Sequence, residues 1–195
     1  MEMENKNVSG PGKKSGSLSE ILYEWCDALV YALVAIIILF TIFFKVTTVV
    51  GTSMINTLHE RDILIISKIG YEPENGDIVV IAMDNAYFQE PIVKRIIASG
   101  GETIDIDFNT HEVKVTDVSG VTRVLEEDYI LSETATAADM EFPLQIPEGY
   151  LFVMGDNRNG STDSRDSRIG LIDERQILGH VVLRVLPIQN FGAVK

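Results

Sequence analysis

The sequence predicts a mainly β domain, an antiparallel barrel or sandwich, preceded by one N-terminal transmembrane helix. Three observations carry that prediction. One apolar run, Ala28 to Phe44, contains no charge and only Thr41 as a polar interruption. After it, the apolar segments are short, rich in β-branched residues and separated by Gly, Pro and Asn, which is hairpin punctuation rather than βαβ patterning. No internal repeat or long linker divides the remaining stretch of about 150 residues, which is enough for one hydrophobic core.

The leader, Asn5 to Ser19, is rich in Gly, Ser, Asn and Lys and reads as a flexible tail. The seventeen residues Ala28 to Phe44 would reach roughly 25 Å as a helix, near the lower limit for crossing a bilayer. Trp25 and Tyr31 suit a membrane interface and Lys45 marks the far end. A core helix of a soluble protein would show a polar face, and this one has none. A cleaved leader would be followed by small residues, whereas Lys45 to Val50 reads as a strand. Lys6, Lys13 and Lys14 precede the span and only Lys45 follows closely, so the amino terminus is expected in the cytoplasm. The expected organisation is a cytoplasmic tail over 1–24, an anchor over 25–45 and an extracytoplasmic β domain over 46–195.

Strands are expected at 63–68, 77–82, 91–98, 102–108, 113–115, 121–125, 150–154 and 177–186, with a loop or single helical turn at 134–140. A net charge of −13 argues against nucleic acid as a partner. The single cysteine, Cys26, excludes an intrachain disulfide and a cysteine-rich zinc site. It reads as a small filler at the membrane border. No metal-ligand cluster stands out, so no metal or cofactor is expected.

Two segments carry candidate chemistry. Gly51-Thr52-Ser53-Met54 places a hydroxyl in a turn where glycine frees the backbone and following amides can face an oxyanion. Ile92-Val93-Lys94-Arg95-Ile96-Ile97 places two cations in an apolar strand, on opposite faces. One of them must meet an apolar face unless both snorkel to water from a sheet edge. A desolvated lysine can lose its proton and accept one from a serine, whereas arginine cannot. His59, His111 and His180 sit in no motif, so a histidine base is the weaker reading. A third segment, Gly155 to Arg165, is a dense polar loop directly after the apolar run Leu151 to Met154.

Together these segments resemble bacterial type I signal peptidase, the membrane-bound leader peptidase with a serine/lysine dyad. The matches come in family order: Gly51-x-Ser53-Met54, Arg61 to Leu64, Gly76 to Val80, Val93 to Ile97, Gly149 to Arg158, and Ser161-x-Asp163-Ser164-Arg165. The resemblance implies that Ser53 attacks the scissile carbonyl and that Lys94 is its general base. It also implies that Ser161 hydrogen-bonds and orients the lysine, that Asp163 and Arg165 organise the loop, and that Met54 lines the substrate cleft. The implied substrates are exported preproteins with small residues before the cleavage site, cut at the plasma membrane surface beside lipid, without a cofactor.

Three departures stand out. Asn56 replaces a frequent proline, Gly51 replaces a serine that in some members completes the oxyanion hole, and Asp-Ser-Arg is repeated at 166–168. Spacing from Gly155 favours the first copy. Two rivals remain: a soluble self-cleaving protein with the same dyad, which the anchor disfavours, and a catalytically inactive membrane-anchored β-domain acting as a binding module.

Overall fold

The computed structural model describes residues 18–83, 86–136 and 139–194. The chain divides into two units, with the boundary between Ile42 and Phe43. The first contains α1, Leu18–Phe43, except for its last residue. Within it Leu22–Phe43 has a mean hydropathy of 2.5, long and apolar enough to cross a bilayer by length and composition. The expected flexible leader lies outside the described residues, apart from its last two positions, which begin α1.

The second unit is mainly antiparallel β, as the patterning predicts. Its strands are β1 (Phe44–Thr48), β2 (Ile63–Ser67), β3 (Ile78–Ile81), β4 (Ile92–Ser99), β5 (Thr103–Asp107) and β6 (Glu112–Thr116), followed by β7 (Thr122–Val124), β8 (Leu144–Gln145), β9 (Tyr150–Met154), β10 (Ile172–Asp173) and β11 (Ile177–Leu186). Seven form one sheet in the order β1-β2-β11-β3-β4-β9-β10, and four form another in the order β7-β6-β5-β8. The two-residue strands β8 and β10 escape the sequence pattern because they are too short to show alternation. Around 134–140 the described residues form no helix, and 137–138 lie outside them.

β4 is central. It pairs with β3 on one side and β9 on the other, and its residues from Lys94 to Ala98 are all buried. A strand covered on both faces explains the continuous apolar run in the sequence. One face joins Val79, Ile96, Leu151 and Val153 in a core cluster, while Ile97 and Met154 belong to a second. A third cluster, around Met54, Leu58, Leu64 and Val80, underlies the loop after β1. β4 leads into the second sheet through Gly100, where a β-carbon would stand 2.9 Å from the Glu148 backbone. Only glycine lets those chains approach so closely.

Candidate active site

The serine loop is held from below and from the side. Val49 N–H donates to Asp62 O, and Arg61 N–H donates back to Val49 O. Gly51 then turns the chain at φ +85°, a left-handed conformation that a β-carbon disfavours. Thr57 and Leu58 N–H groups both donate to Met54 O, at 2.9 and 2.8 Å, closing a tight turn. Met54 and Leu58 anchor it in the core. Met54 is 1% exposed, so its side chain packs inward and does not line the cleft as expected. Its thioether fills the space beneath the turn, a role its flexible side chain suits.

The loop after β9 grips the same turn. Asn157 N–H donates to Ser53 O at 2.9 Å, and Asn157 Nδ2 donates to Thr52 O at 3.1 Å. A β-carbon on Gly155 would lie 2.4 Å from Ser53 O and 2.3 Å from Ser161 Oγ. The absence of a side chain at 155 is what admits the serine loop. Among the described residues the Ser53 N–H donates to no acceptor, leaving it free for an oxyanion.

Lys94 and Arg95 take opposite faces of β4, and neither snorkels. Lys94 is 3% exposed and Arg95 2%. Lys94 stands opposite Val79 and on the side of Ile92 and Ile96, and its Nζ lies 2.7 Å from Ser53 Oγ. Of the buried cations among the described residues, Arg95, Arg158 and Arg165 each pair with a carboxylate, namely Asp156, Glu127 and Asp163. Lys94 makes no such pair. Burial therefore dominates and pushes its amine down to about 8, with Asp163 partly opposing the shift and Arg165 assisting it.

Asp163 and Arg165 form a buried fork: Arg165 Nε and Nη2 donate to the two Asp163 oxygens at 2.8 and 2.9 Å. Asp163 also accepts from Gly155 N–H at 3.0 Å, and Arg165 donates to the carbonyls of Arg158 and Thr136. The Ser161 Oγ is buried but, among the described residues, has no hydrogen-bond partner, so the expected bond to Lys94 is not formed. The lysine directs its short contact to Ser53 instead. The second Asp-Ser-Arg copy is a surface turn, in which Arg168 pairs with Asp166 at half exposure.

None of the three histidines hydrogen-bonds Ser53. His111 reaches Thr134 O, and His180 stacks on Tyr71 with ring centroids 4.2 Å apart. Among the described residues no group of three or more His, Cys, Asp or Glu is placed to hold a metal. Ser53 and Lys94 open onto a pocket of about 310 Å3 whose other walls include Val50, Tyr87, Glu90 and Ile92. A larger cleft of about 600 Å3, between His59–Asp62 and Leu186–Asn190, is lined by neither Ser53 nor Lys94.

A family model described as signal peptidase, peptidase S26, matches residues 22–186. The chain belongs to the signal peptidase family. It is 36% identical over 180 residues to signal peptidase I of Bacillus licheniformis, covering 86% of this chain and 90% of that protein. To signal peptidase I of Bacillus amyloliquefaciens it is 33% identical over 187 residues, covering 91% and 92%. A solved signal peptidase I from Enterococcus faecalis is 25% identical and covers 56% of this chain and 97% of its own, with a TM-score of 0.43.

Much of what surrounds the pair in this family member carries little signal in the sequence. Arg95, which cannot act as a base, binds Asp156 through Nε at 2.9 Å and Nη2 at 2.7 Å. Its guanidinium also lies 3.9 Å from the Tyr129 ring centroid. Thr57 stands in no motif, and Asn157 stands within the Gly149–Arg158 match without an assigned role. The available signal was the rarity of an arginine inside an apolar strand, which demands a buried acid somewhere in the chain.

Proposed function

We propose that the protein is a membrane-anchored endopeptidase that removes signal peptides from exported preproteins, with Ser53 as nucleophile and Lys94 as general base. The carrying observation is the 2.7 Å contact between a hydroxyl and a buried amine that, among the described residues, has no carboxylate partner. At pH 7 an amine titrating near 8 is neutral in roughly one molecule in ten, against about one in three thousand for an ordinary lysine. The neutral amine accepts the Ser53 proton as Oγ attacks the scissile carbonyl. The developing oxyanion takes the Ser53 N–H. Lys94, now an ammonium, gives its proton to the leaving amine as the C–N bond breaks, and an ester remains on Ser53. Water, deprotonated by Lys94, then hydrolyses the ester and restores the serine.

Ser161 is assigned to take an ammonium hydrogen once Lys94 is charged, supported by its buried, unpartnered Oγ. Asp163 and Arg165 are assigned to loop structure. The substrate is an extended segment with small residues before the scissile bond, a preference that suits a pocket of modest volume. The chain is read as single-pass, with residues 1–24 cytoplasmic, 25–45 in the lipid of the plasma membrane and 46–195 outside. The apolar helix and the lysines before it support this reading. Ser53 follows the end of that stretch at Phe44 by nine residues, at most about 30 Å of chain. Such a tether raises the local concentration of enzyme at an emerging signal sequence.

Incubating a model preprotein with the purified full-length chain in detergent tests the reading. Sequencing the new amino terminus should show cleavage after a small residue, and Ser53→Ala should leave the preprotein intact. Equal processing by that variant would remove the dyad.

A further inference from the structure

One carboxylate holds both halves of the candidate site. Asp156 is fully buried and follows Gly155, the residue on which the Ser53 carbonyl rests. Toward β4 it takes two hydrogen bonds from Arg95, the immediate neighbour of Lys94. Toward the serine loop its Oδ2 accepts a short hydrogen bond from Thr57 Oγ1. Arg95 is itself fixed, since its Nη1 donates to Gly76 O at 2.8 Å. The Thr57 carbonyl accepts from Arg184 Nη1 at 2.9 Å, so the residue is held at both ends.

We propose that Thr57 is a positioning residue for the reaction: its hydroxyl ties the Ser53 turn to the Asp156–Arg95 pair and thereby sets the Ser53–Lys94 distance. The turn's internal bonds meet at Met54 O and its core anchors are Met54 and Leu58. Those contacts fix the base of the turn. One side-chain route from this turn to the strand that carries Lys94 runs from Thr57 Oγ1 to Asp156 and Arg95, with Arg95 Nη2 also 3.5 Å from Thr57 Oγ1. A nucleophile displaced by about 1 Å from its base can lose on the order of a hundredfold in rate.

This inference rests on the serine/lysine reading above. The test compares Thr57→Val, which keeps the shape and removes the donor, with Thr57→Ser, which restores it. Expected are a kcat lowered about ten- to a hundredfold for Thr57→Val, an unchanged KM, an unchanged far-ultraviolet spectrum and recovery in Thr57→Ser. The pH midpoint of kcat should stay in place while the plateau falls, because burial rather than Thr57 sets the lysine titration. A general loosening would instead admit water to Lys94 and move that midpoint upward. If Thr57→Val lowers the folded fraction, Thr57→Cys, which keeps the volume with a weak donor, should still fall between the wild type and the fully impaired state. Wild-type kcat in folded Thr57→Val, no recovery in Thr57→Ser, or a shifted midpoint would each overturn the proposal. Ser53→Ala run alongside separates the cases: its retained activity would sink the dyad, whereas its inactivity beside an unaffected Thr57→Val sinks only the role of Thr57.

Discussion

On one face of β4, Arg95 meets Asp156 in a two-pronged ion pair; on the other, one residue away, Lys94 meets a hydroxyl and, among the described residues, no carboxylate. Both side chains are almost fully buried. The planar guanidinium fork matches the two oxygens of the carboxylate. The amine has no such partner among the described residues, and burial moves it toward neutrality. The same strand thus carries one buried cation in an ion pair and one that, among the described residues, has no carboxylate. The difference is that burial beside a counter-charge leaves a cation in a pair, whereas burial without one shifts an amine toward neutrality.

The comparison can be broken first at Lys94. Lys94→Ala, Lys94→Arg and Ser53→Ala should each lower preprotein processing at least about a thousandfold, as removal of a nucleophile or base does elsewhere. Lys94→Arg is the sharpest of these, since it preserves the charge and removes the ability to be neutral. The other face should respond in stability. Asp156→Ala leaves Arg95 buried without its acid and should destabilise the fold by about 3–5 kcal/mol in denaturant titration.

A third effect has the opposite sign. Below pH 8 the folded lysine is protonated at an energetic disadvantage, whereas the unfolded lysine is protonated freely up to about 10.5. Between those values the unfolded chain binds more protons, so stability rises with pH across that window. Lys94→Met should therefore stabilise the fold at pH 7 by about 3 kcal/mol, and that advantage should vanish above pH 10.5. Equal stability of wild type and variant at pH 7 would mean that the amine is better solvated than its burial indicates. The wild-type rate should rise about tenfold per pH unit below 8 and level off above it. A flat profile from pH 7 to 9 would count against Lys94 as base.

The smallest effect separates the two Asp-Ser-Arg copies. Arg168→Ala removes a half-exposed surface pair and should leave melting and processing unchanged within error. Arg165→Ala opens a buried fork and should impair both.

Ser53 and Lys94 were legible because their neighbours are legible: a glycine-bearing turn after an apolar stretch, and a cation among aliphatics. The loop's importance was legible from its order with the other segments. Met54 misled, because a methionine beside a nucleophile can face either the cleft or the core, and the pattern of a turn has no period to decide between them.

What the sequence determined by itself was the β architecture, one apolar helix and the identity of a serine and a lysine worth pairing. Those depend on local periodicity and side-chain chemistry, which a linear chain displays directly. Only the tertiary structure decided that Arg95 has an acid while Lys94, among the described residues, has none, that Gly155 must be bare for Ser53 to approach, and that Thr57 shares Asp156 with the strand. Each depends on groups tens of residues apart meeting within about 3 Å, and no one-dimensional pattern encodes which of several nearby acids will point at which cation.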